Sequence, residues 1–189
     1  MKGPGGRSEV GTLAWPLAVG MLSFTLMGVV DTLVVGLVGT AALAGVGLAA
    51  TLCWVAMAFF RGLLTGGQSL VAAAQGAGDT ERMRRAGGAN VVLGLGSGCV
   101  ASGLLLLGAE ALQFLSPDAP VVESAQTYLS IRLWAMPLQI TAFGLMLCIQ
   151  GTGDSRTRMW ASLVGNVVNG GLDLALVPWE RDMKRYLNR

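Results

Sequence analysis

Five stretches of this chain, residues 12–36, 42–66, 87–109, 128–149 and 159–179, are apolar over lengths near or above the roughly 20 residues that let an α-helix cross about 30 Å of hydrocarbon. Buried helices of a water-soluble globule mimic one or two such runs, but not five in 189 residues. Only 13% of the residues are charged, about half the share of a typical soluble domain, so the chain lacks the polar side chains to coat a globule. Period-two alternation is absent, which excludes a β-barrel. The sequence predicts an all-α, polytopic transmembrane bundle: residues 1–11 precede it, 12–179 form it, and 180–189 make a polar, basic tail.

The first run is too long for a secretory signal and carries an aspartate, so it is read as a mature helix. Orientation follows from the basic residues. With the N-terminus in the cytoplasm, Lys2, Arg7, Arg82, Arg84, Arg85, Arg156 and Arg158 fall inside, whereas segments 37–41 and 110–127 hold no Lys or Arg. The second of these carries Glu110, Asp118 and Glu123 instead. A multi-pass protein of the cell (inner or plasma) membrane is expected. The tail conflicts with this pattern, because five spans would put Arg181, Lys184, Arg185 and Arg189 outside; it reads as no natural continuation of the membrane architecture.

No histidine occurs, which removes imidazole acid/base chemistry, Ser-His-Asp triads and histidine-ligated zinc. No enzyme activity, cofactor or nucleic-acid partner is expected. Cys53, Cys99 and Cys148 sit singly within spans and are read as packing residues. Arg61 closes an apolar run and is read as snorkelling to headgroups. The third span is rich in glycine, with "GLGSG" at 94–98, and is expected to lie close against its neighbours.

One internal echo stands out. "AQGAGDTERM" (74–83) and "IQGTGDSRTRM" (149–159) share Gln-Gly-x-Gly-Asp followed by Thr or Ser and then Arg. The physics is that of a helix end: glycine releases one helix, and Asp with its hydroxyl neighbour offers oxygens to free amides of the next. The alternative is the Gly-x-Gly-Asp signature of an intramembrane aspartyl protease. Against it, both copies run into charged segments.

The remaining acids are harder to explain as packing. Asp31 lies inside "GVVDTLVVG", and an Asp at the centre of a membrane helix costs roughly 2.5–3.5 kcal/mol. The fifth span holds a second one, in "GNVVNGGLDLALV" (165–177), where Asn166, Asn169 and Asp173 fall on one helix stripe. Counting at about 1.5 Å per residue, Asp31 and Asp173 both lie about 10 Å from the outer boundary. Two costly acids at one level, with an Asn one turn away, read as one site. Their bland role would be to tie neighbouring helices together, yet amides or hydroxyls do that at lower cost. Two carboxylates in a dry bundle resist being ionised together, so such a pair can trade a proton for a cation. Pro16, with Gly20, Phe24 and Met27 along roughly the same face as Asp31, supplies a bend point.

At these residues a resemblance emerges. "LAWPLAVGMLSFTLMGVVDTLVVGLVGTAALAGVGLA" (13–49), "GGQSLVAAAQGAGD" (66–79) and "IQGTGDSRTRMWASLVGNVVNGGLDLAL" (149–176) resemble, in family order, the N-terminal lobe of multidrug and toxic compound extrusion (MATE) transporters. The resemblance implies export of small cationic amphipathic compounds in exchange for H⁺ or Na⁺. It places the coupling site on Asp31, Asn169 and Asp173, with any Na⁺ held there, and the hinge on Pro16. Phe24, Met27 and Met146 are candidates for the substrate cavity. Family members carry twelve helices in two six-helix lobes, so five spans correspond to a truncated, incomplete N-lobe. A half-transporter working with a second copy or a C-terminal lobe is one expectation. A non-transporting membrane fragment or an interaction subunit is the other.

Overall fold

A computed structural model describes residues 7–115 and 118–187. Lys2 and Arg189 therefore lie outside the described residues. Five helices follow one another: α1 (Arg7–Val38), α2 (Thr40–Gly76), α3 (Thr80–Leu115), α4 (Ala119–Gly151) and α5 (Ser155–Leu187). Among the described residues, α1 to α4 are each long and apolar enough to cross a membrane. The protein is a multi-pass membrane helical bundle.

The helices overrun the apolar windows at most ends. α3 continues through Glu110 and α4 already contains Glu123, within the stretch expected to link spans three and four. α5 runs on to Leu187, so most of the expected tail continues a helix. The reason is local. Charged residues stop a hydropathy window, but they do not stop a helix unless the backbone is given somewhere else to go.

That release comes at the two Gly-x-Gly-Asp copies. Gly78 and Gly153 take left-handed φ values of 68° and 86°, a conformation that only glycine enters freely. Each is followed by an aspartate that starts the next helix. Asp79 Oδ1 accepts the Arg82 amide at 2.9 Å, and Asp154 Oδ1 accepts the Thr157 amide at 3.0 Å. The Thr157 hydroxyl and amide hold the Asp154 carboxyl below the usual carboxylate range. The cap is thus complete above the ordinary carboxylate value near pH 4 and is lost as pH falls through the lowered one. Hydrogen exchange at the Thr157 amide, corrected for intrinsic rate, is expected to accelerate across that acid window in the wild type and to show no such step in Asp154→Asn.

The helices form two compact units, one of residues 40–153 and one combining 1–39 with 154–189. In the first, α4 packs against both α2 and α3, which also touch each other. Each helix contributes one stripe at helical spacing: Ala49, Cys53, Phe60 and Leu64 from α2, Ala101, Leu105 and Leu112 from α3, and Leu129, Met136 and Ile140 from α4. The expected closeness of the glycine-rich helix is confined to one face. Gly94 and Gly98 abut Thr141 and Pro137 of α4, whereas Gly87, Gly88, Gly96 and Gly103 face open space. Pro137 has no N–H, which deprives the Leu133 carbonyl of its helical donor. The Ser102 hydroxyl replaces it, 2.8 Å away.

Two polar groups complete this unit. Asn90, 2% exposed, donates to the Gly144 carbonyl at 3.1 Å and to Cys148 Sγ at 3.2 Å. Arg61 does not simply reach outward, since its guanidinium lies 4.6 Å from the centre of the Phe143 ring, a cation–π geometry. Cys53 and Cys148 are buried and Cys99 is exposed; none is in a disulfide.

Candidate functional site

The second unit consists of α1 and α5 packed along one seam. Small and polar side chains at intervals of three and four make up that seam, so each helix presents a single stripe to the other. Gly20 faces Met159, with space for no more than a methyl before van der Waals contact. The Ser162 hydroxyl donates to the Gly20 carbonyl at 3.2 Å. Next comes Asn166, whose Nδ2 donates to the Ser23 carbonyl at 2.7 Å and to the Ser23 hydroxyl. Asn169 then donates to Asp31 Oδ1 at 2.7 Å and to Asp173 Oδ2 at 3.2 Å. Because the rungs climb both chains in the same order, α1 and α5 run parallel.

Asp31 and Asp173 therefore share one neutral donor, the Asn169 amide nitrogen. Its two N–H bonds serve one carboxylate each. Glu81 pairs with Arg84 and Arg85 at the start of α3, away from this seam. Both acids and the asparagine are half-buried. Two carboxyl groups held together by one neutral amide repel each other when both are ionised, and a proton or a cation between such groups relieves that repulsion.

The structure thus brings Asp31, Asn169 and Asp173 together. Pro16 is fully buried within α1. Phe24 and Met27 line an open groove of about 410 Å³, whose other wall is α5 with Ser162, Asn166 and Asn169. Met146 belongs to the other unit, half-buried on α4, and is not part of this lining. Asp79 and Asp154, the carboxylates of the protease alternative, are exposed helix caps.

Sequence reasoning missed two features. Ser23, eight residues before Asp31 and about 80° round the helix from it, leaves no mark in the pattern, because serine barely registers in hydropathy. Arg132, inside the fourth span, is a charge that the span's average hides; it lies 5.9 Å from the Tyr128 ring centre, with Nε buried and unpartnered.

Four helices long and apolar enough to cross a membrane, and an α1–α5 seam that joins two acids through one amide, define the class: a polytopic helical membrane protein. The chain belongs to the MatE family, which it matches over residues 16–174. It is similar to a probable multidrug resistance protein NorM of Burkholderia pseudomallei, with 30% identity over 171 residues, 90% of this chain and 36% of that protein. A probable multidrug resistance protein NorM of Thermotoga maritima is 30% identical over 174 residues, 90% of this chain and 37% of its own length. The DNA damage-inducible protein F of Escherichia coli K12 is 30% identical over 170 residues, 87% of this chain and 36% of its own. The chain thus spans little more than a third of the length of these relatives. No solved structure matches it at a significant level. The family is one of transporters, not enzymes, which removes the protease reading.

Proposed function

We propose that this chain carries the coupling site of a secondary antiporter that exports organic cations in exchange for H⁺ or Na⁺ across the cell membrane. The observation that carries the reading is the Asp31–Asn169–Asp173 bridge. With both acids ionised, the site attracts a cationic compound into the adjoining groove, where Phe24 and Met27 offer apolar and polarisable surface. A proton or Na⁺ arriving at the carboxylates cancels that attraction. Coupling ion and substrate then compete for one negative site, which is the thermodynamic requirement of exchange.

The same event changes the tie between α1 and α5, and a bend near Pro16 converts that change into movement. The relatives named as multidrug resistance proteins support export of varied compounds as the direction and purpose. We place the N-terminus in the cytoplasm, the five helices as five crossings, and a second copy or a C-terminal lobe as the partner across the pathway.

The test is ethidium export from drug-sensitive cells that express the chain, compared with Asp31→Asn and Asp173→Asn at equal membrane abundance. Export by the wild type with about a tenfold or greater loss in each variant is expected, since each removes a charge the substrate meets in a low-dielectric site. Undiminished export by both variants overturns the reading. A stably inserted wild type that exports nothing overturns the second copy as partner and leaves the C-terminal lobe.

A further inference from the structure

We propose that Ser23 and Asn166 form a positioning pair that sets where Asp31 stands against α5. The inference rests on Asp31 as a coupling acid and adds what holds it in place. Apolar contact between membrane helices is non-directional, and lipid tails compete with it on equal terms. Rotation and height of one helix on another are therefore fixed by directional contacts. On this seam the most directional lies at Ser23, a residue 8% exposed. One amide nitrogen of Asn166 reaches both its carbonyl, at 2.7 Å, and its hydroxyl. The second bond depends on the rotation of α1, and the first on its height.

The geometry carries this constraint up to the acid. Asp31 stands eight residues beyond Ser23, about 12 Å or just over two turns up the same helix. Asn169 stands three residues beyond Asn166, so both halves of the upper contact are rigid extensions of the lower one. A slip of α1 by one residue turns it by about 100° and moves it about 1.5 Å, which removes Asp31 from Asn169 altogether. The Ser162–Gly20 bond, at 3.2 Å to a backbone carbonyl, limits height but reads no side chain of α1. The titratable group facing Asp31 from α5 is Asp173, which shares the Asn169 donor. Neither Ser23 nor Asn166 touches the carboxyl group itself.

The experiment is labelling of Asp31 in the purified full chain by dicyclohexylcarbodiimide, read by mass spectrometry, which requires no transport. The reagent is attacked by a carboxyl oxygen, and Asp31 Oδ1 is covered by Asn169 in the wild type. Asn169→Leu, which uncovers it directly, is expected to raise the labelling rate about fivefold, the equivalent of one hydrogen bond. Asn166→Leu is expected to match that rise, and Ser23→Ala, which keeps the carbonyl acceptor, to give a smaller one. The exchange Ser23→Asn with Asn166→Ser restores a side-chain bond across the seam and is expected to bring labelling back toward the wild-type rate.

A purely structural role predicts a lower thermal midpoint in Asn166→Leu and in the exchange alike, without this rescue. Wild-type labelling in Asn166→Leu and Ser23→Ala, with a rise in Asn169→Leu, overturns the positioning proposal alone. A wild-type rate in Asn169→Leu as well overturns it together with the bridged-acid reading on which it stands. Where Asn166→Leu does not accumulate, Ser23→Ala and the exchange decide the question by the same criteria.

Discussion

Gly98→Leu is expected to lower the stability of the α2–α4 unit by about 3 kcal/mol, the upper range for forcing bulk into a packed interior. A Cβ at this position would fall onto Pro137 Cα, and backbone cannot step aside as a flexible side chain can. The displacement also reaches Ser102, one turn along α3, whose hydroxyl serves the Leu133 carbonyl that Pro137 leaves without a donor. Where no water reaches, an unserved carbonyl adds its own cost. Gly96→Leu is the internal control. It lies two residues away on the same helix with open space beyond it, and its thermal midpoint in detergent is expected to stay near that of the wild type. Equal losses for the two variants would mean that the close approach of α3 to α4 at Gly98 is unimportant, since leucine is the better helix former at both positions.

This contrast marks what hydropathy makes legible. The number and order of the helices, and the membrane character of α1 to α4, follow from runs of apolar residues, because crossing hydrocarbon imposes a minimum length. Their ends do not follow. Glu110 and Glu123 look like link residues but are helical, since an exposed charge costs a helix little. Breaks sit at Gly39, Gly78 and Gly153, and at the last two the repeated Gly-x-Gly-Asp was readable as backbone chemistry. Which glycines of α3 meet α4 was not readable. Gly94 and Gly98 differ from Gly96 and Gly103 only in the direction they face, toward Thr141 and Pro137 of another helix.

The candidate site was legible to a different degree. Asp31 and Asp173 could be matched by depth because each acid is costly enough to demand a partner, and counting residues from the helix end gives its level. The stripe 166, 169, 173 placed Asn169 between them. What could not be read is the division of labour along that stripe. Asn166 and Asn169 are the same residue type one turn apart, yet one serves a serine and the other two carboxylates. The difference arises from the register of α1 on α5, which no single helix encodes. Arg132 escaped notice for the opposite reason: one charge in a long apolar run leaves the average almost unchanged.

Asn169→Leu is the substitution expected to separate coupling from packing most sharply. Leucine is near asparagine in size and is at home in a membrane helix, so insertion and abundance are expected to hold. The two carboxyl groups, however, lose the donor they share and face each other with nothing between. Such a pair relieves its repulsion by holding a proton or a cation continuously. A site that never empties cannot exchange. If ethidium export by the chain is driven as proposed, it is expected to fall about 10- to 100-fold in this variant, the range set by a hydrogen bond to a charged group. Val167→Leu, one helix position from Asn166 but 76% exposed, is expected to export as the wild type does. Retained export in Asn169→Leu would leave the amide as a spacer between helices and would move the coupling function to one acid acting alone.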